Sequence, residues 1–182
     1  MRPRRVFALA LGTQCLLIVG AWAASRALHL TPAWGEPVRD TVIGLAAALV
    51  LAGGNFILLR HAPGNWLVNG VRTVYHDVLV PLFAGLGGVG IIVLGAAAGI
   101  GEEWLFRGAL QPSLGLVATS LVFGLAHVGG WKMLPFGVWA SIMGLILGGL
   151  AITTGGLIAP IVAHGVYDMM ALEYIRRGAH NE

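Results

Sequence analysis

Residues 99–111, Gly-Ile-Gly-Glu-Glu-Trp-Leu-Phe-Arg-Gly-Ala-Leu-Gln, hold three ionisable side chains, Glu102, Glu103 and Arg107. They close an apolar run that starts near Gly87 and carries no charge before Glu102. A charge at hydrocarbon depth costs about 2.5–3.5 kcal/mol on insertion scales, so each must meet a partner or line a site. Positions i and i+4 are neighbours on a helix, and Arg107 can therefore pair with Glu103. A structural ion pair accounts for those two and leaves Glu102 over, free to move protons. Three more ionisable residues, His127, His164 and Asp168, fall inside later apolar runs. His164 and Asp168 are i and i+4 and share a helix face. Phe123 and His127 are spaced likewise, which lets the Phe123 ring wall one side of the imidazole. Either histidine alone could be a satisfied helix contact. Six such residues on three separate runs must instead face a bundle interior and find one another.

The elements that position them are apolar helices. The 182 residues are 57% hydrophobic and 10% charged, with mean hydropathy +0.83, which excludes an ordinary soluble globule. We expect an all-α polytopic membrane bundle, one domain over 1–182, with about six transmembrane helices and a buried polar site. The spans are placed at 6–24, 41–59, 87–111, 114–128, 135–153 and 157–174, lengths that suit a bilayer apart from the short fourth. An amphipathic, interfacial segment at 71–83 follows the first two spans within 1–86, and the motif-bearing core covers 87–174. Pro112 and Ser113 mark a break between the third and fourth spans. Gly129, Gly130 and Lys132 form a turn, and Thr154, Gly155 and Gly156 link the last two spans. The 28 glycines suit close helix approach in lipid.

The run 6–24 is broken only by Thr13 and Gln14. Ala21-Trp22-Ala23 resembles a signal-peptidase site, so cleavage stands as an alternative, although the run is longer than a signal core. Cys15 has no disulfide partner and reads as packing. His29, His61, His76 and His180 fall in loops or the tail and read as solvated, and Asp40 and Asp77 lie in connections. The net charge of +3 speaks for topology rather than nucleic-acid binding. With six spans and the N-terminus inside, inner segments hold Arg2, Arg4, Arg5, Arg60, Arg72, Lys132, Arg176 and Arg177. Arg26, Arg39 and Arg107 lie in outer segments or the third span. This asymmetry places both termini in the cytoplasm, in a plasma (inner) membrane protein.

Glu102-Glu103-x-x-x-Arg107, Phe123-x-x-x-His127 and His164-x-x-x-Asp168, in this order on successive apolar segments, resemble the three motifs of the CPBP family. That family contains CAAX prenyl proteases and bacteriocin-processing or immunity (Abi-like) enzymes, glutamate-dependent intramembrane endopeptidases. The resemblance covers about residues 87–172. It implies that Glu102 activates a water, that His127 shares it and passes a proton to the leaving amine, and that His164 donates to the oxyanion. Glu103, Arg107 and Phe123 would support that set. Related members often carry Asn where this chain has Asp168, and an ionised Asp only accepts. Asp168 is then either protonated or holds His164 in its donor tautomer, and the i,i+4 geometry favours the second.

The substrate implied is a peptide or protein at or within the bilayer, with no cofactor. A Gly-x-Ser-x-Gly elbow and a His-Glu-x-x-His motif are both absent. Glu102, His127 and His164 could still form a His₂Glu zinc site, which keeps zinc as an alternative. A non-proteolytic scaffold or immunity factor that retains the polar cluster for packing is the other.

Overall fold

The computed structural model describes residues 3–178. Arg2 of the charge count and His180 of the tail lie outside the described residues. The chain forms α1 (Pro3–Ala27), α2 (Pro37–Arg60), α3 (Trp66–Val74), a π-helical turn (Tyr75–Leu79), α4 (Val80–Phe83) and α5 (Gly88–Glu103). A second π-helical turn (Trp104–Leu110) leads into α6 (Gln111–Ala126), a 3-10 turn (Trp131–Met133), α7 (Leu134–Thr154) and α8 (Ile158–Arg176). The described residues contain helix and no strand, as the apolar runs require. Pro3–Ala27, Pro37–Arg60, Gly88–Ala126 and Trp131–Thr154 are long and apolar enough to cross a membrane. With its 19 residues α8 also has the length of a span, and its His164 and Asp168 dilute its apolar character.

The expected third and fourth spans form one helical stretch that bends at Gly115, three residues beyond the expected break. Pro112 sits in the first turn of α6, where its missing N–H costs nothing. Gly115 has φ 78° and ψ 168°, a conformation essentially restricted to glycine, and no neighbour crowds its α-carbon. Only about 16 Å of helix follows it to Ala126, so this arm reaches roughly halfway through a bilayer. That length returns His127 to the level of Glu102.

Three seams of small residues bring the helices together. On α5, Gly95 and Gly99 precede Glu103 at four-residue intervals, and both press on α8 beside Gly165. A Cβ on Gly99 would stand 2.6 Å from the Ile161 carbonyl oxygen, so only glycine admits α8 this closely. Gly101, on another face, packs against Gln14 and Ile18 of α1. On α7, Gly137 and Gly144 meet Gly124 and Ser120 of α6.

The connection before α2 is strapped to the bundle. Ala33 and Trp34 carbonyls accept the Leu157 and Ile158 amides at 3.0 Å, satisfying donors that the start of α8 would leave orphaned. Asp40, expected in a connection, is fully buried in the first turn of α2. It accepts from the Glu36 amide at 2.8 Å and from Arg39 Nε at 2.7 Å. The 71–83 segment is helical across α3, the π turn and α4, and buries Val71, Val74 and Tyr75 on one side. Cys15, read as packing, is instead exposed. His29, His61 and His76 are exposed.

Candidate active site

The buried half of the site starts with Glu103, which the glycine seam of α5 carries against α8 with 0% exposure. One oxygen does all its bonding: Oε1 accepts from Arg107 Nη1 at 3.0 Å and meets His164 Nδ1 at 2.7 Å. Arg107 lies in the π-helical turn, four residues on, as the spacing predicts. Its Nη2 donates to the Gly144 carbonyl of α7 at 3.0 Å. Its guanidinium stands 4.6 Å over the Phe123 ring, which ties the pair to α6 as well. Five helical elements therefore meet at one ion pair.

Phe123 is the hub between the histidines. Its ring centroid is 4.7 Å from that of His127 and 6.1 Å from that of His164, so it walls both imidazoles. Its carbonyl meets His127 Nδ1 at 2.7 Å. Since a carbonyl only accepts, Nδ1 carries a proton, and a neutral His127 presents a bare Nε2. That nitrogen lies 4.0 Å from Glu102 Oε2. Glu102 is 13% exposed at its side chain, and it points away from the Glu103–Arg107 pair.

The expected link from Asp168 to His164 is not the bond that orients the ring. Asp168 Oδ2 lies 3.6 Å from Nε2, beyond hydrogen-bond distance, and Glu103 holds the other nitrogen. The i,i+4 register brings Asp168 near, but the approach of α5 on its glycine seam supplies the closer acceptor. With Nδ1 donating to a carboxylate, Nε2 can also donate only when the ring is an imidazolium.

One residue at the site was not singled out for it from the sequence: Gln14, on α1, whose Nε2 donates to Glu102 Oε1 at 2.9 Å. The available signal was its being one of two polar residues within the first apolar run. A cavity of about 330 Å³ is lined by Gln14, His127, His164 and Asp168, with an otherwise largely apolar wall. Glu102 stands behind it, between Gln14 and His127. A tetrahedral zinc site places ligand atoms about 2.0–2.1 Å from the ion, hence roughly 3.4 Å apart. Glu102 Oε2 and His127 Nε2 are wider apart, at 4.0 Å. Among the described residues, no three His, Cys, Asp or Glu side chains converge to hold an ion.

Comparison with known proteins places these residues in a family. Residues 84–170, which contain all three motifs, match the type II CAAX prenyl endopeptidase family described as Rce1-like. The uncharacterized protein YpbD of Bacillus subtilis (strain 168) is 32% identical over 189 aligned residues, covering 93% of this chain and 93% of its own length. No solved structure matches the chain. The motif order, the helical bundle and these two similarities agree, and the chain belongs to the Rce1-like family of CAAX-type membrane endopeptidases.

Proposed function

We propose that this protein is an intramembrane endopeptidase in which Glu102 and His127 activate a water. The observation that carries the reading is the pair Glu102 Oε2 and His127 Nε2, two acceptors 4.0 Å apart at the edge of a largely apolar cavity. One water between them gives a hydrogen bond to each and turns a lone pair toward the substrate. Glu102 takes the proton as the water oxygen bonds to the scissile carbonyl carbon. The carbonyl π electrons move to oxygen, and His164, as an imidazolium between Glu103 and Asp168, donates from Nε2 to that oxyanion. When the C–N bond breaks, the proton from Glu102 passes through His127 Nε2 to the departing amine. A carboxylic acid and an amine result, and every side chain regains its starting form. Arg107 pairs with Glu103 without touching substrate.

The substrate in this reading is a peptide or protein at or within the bilayer, and both termini of the enzyme face the cytoplasm. The family similarity and the low charge of the cavity support it. The scaffold reading keeps the same packing but has no need of Glu102 as a base. Comparison of protein N-termini in membranes bearing wild-type or Glu102→Gln protein separates the two. We expect a precursor to accumulate and its new N-terminus to vanish in the variant, at normal protein abundance. Unchanged N-termini would refute the protease reading. Turnover by the purified protein should also survive exhaustive chelation; stoichiometric zinc, with activity lost to chelator and restored by metal, would replace the glutamate-water mechanism.

A further inference from the structure

We infer that Gln14 of the first helix is a positioning residue for the catalytic carboxylate, which makes α1 part of the active site. The inference rests on the protease reading above and concerns a helix outside the 84–170 family match. Glu102 has two oxygens with different surroundings. Oε1 accepts from Gln14 Nε2 at 2.9 Å, and Oε2 faces His127 at 4.0 Å. A neutral donor on Oε1 saturates the oxygen that is not needed and leaves Oε2 as the one that receives the water's proton. A cation there would instead form an ion pair that competes for the negative charge. Arg107 is kept from that place by Glu103, so the amide suits the site better than a charge does.

The packing fixes this contact. Gly101, adjacent to Glu102, faces α1 so closely that a Cβ would lie 3.1 Å from the Gln14 backbone oxygen and 3.2 Å from Gln14 Oε1. The two residues thus join through backbone approach as well as through the amide. Gln14 Oε1 is itself buried without a protein partner, while the side chain lines the cavity. An amide inserted in an apolar helix for packing alone leaves such an oxygen at a cost, whereas one that must present its NH₂ to Glu102 has no other orientation.

The test measures kcat and KM on a synthetic peptide spanning the cleavage site found in the N-terminal comparison, with thermal unfolding in detergent alongside. Gln14→Met keeps the shape and removes the donor. Gln14→Glu keeps the shape and replaces the donor by an acceptor. We expect kcat to fall about tenfold in Gln14→Met, and further in Gln14→Glu, with KM within about twofold of wild type. Packing alone does not predict that order, because glutamate matches glutamine in volume. Wild-type kcat in either folded variant would overturn the inference, as would a loss confined to KM. If neither variant accumulates as folded protein, Gln14 is a packing strut and the inference fails. An inactive Glu102→Gln protein beside fully active Gln14 variants would sink this inference alone, and an active Glu102→Gln protein would sink the protease reading first.

Discussion

Replacing Arg107 with alanine removes the guanidinium bonded to Glu103, a carboxylate that has no exposure. Arg107 itself is 4% exposed, and it contributes the 3.0 Å bond to Glu103, a second to the Gly144 carbonyl and the stack on Phe123. Truncating one partner of a buried pair costs about 3–5 kcal/mol, because the other charge stays behind. The lost stack on Phe123 adds up to about 2 kcal/mol in a desolvated site. These effects overlap, and we expect a total of about 4–5 kcal/mol. Whole domains are stable by only about 5–15 kcal/mol, so much of the margin disappears. At about 2–4 °C per kcal/mol for a chain of this size, Tm in detergent should fall by about 10 °C or more. Fluorescence-detected unfolding and the yield of monodisperse protein both read this. The double variant Arg107→Met with Glu103→Leu removes both charges of the pair together and should recover at least half of the loss. It should remain inactive, since His164 has then lost the acceptor on Nδ1. Arg107→Ala protein that unfolds within about 3 °C of wild type would refute the reasoning, as would a double variant less stable than the single one.

Gly124→Ala should destabilise the α6–α7 seam by about 1–3 kcal/mol, because a Cβ there collides with Ser141 Oγ and the Gly137 carbonyl. Gly149→Ala on α7 has open space and should be neutral or slightly stabilising, and unfolding of the two variants side by side checks the contrast. Reporter fusions at residues 32–37 and at the C-terminus should report opposite sides of the membrane, the C-terminal one cytoplasmic; a shared side, or a mature chain starting near Ala24, would contradict the assigned topology.

Local spacing in the sequence settles which neighbours on one helix share a face. The apolar runs alone select helix in lipid, since a spanning segment must satisfy its backbone internally. The i,i+4 relation finds the Glu103–Arg107 bond and the Phe123–His127 ring contact, because three to four residues make one turn. The motifs on three separate runs also announce that those runs share a site.

Partners on different helices were decided only by tertiary packing. The sequence puts Asp168 beside His164, yet Glu103 takes the bond, because Gly95 and Gly99 let α5 come within backbone contact of α8. Nothing local tells Gln14 that Glu102 lies opposite, 88 positions away, across the Gly101 seam. The bend falls at Gly115 rather than beside Pro112, since proline fits a first helical turn and only glycine takes the required positive φ. Helical periodicity states which residues share a face. It does not state which face meets which, and that depends on how closely small residues allow two backbones to approach.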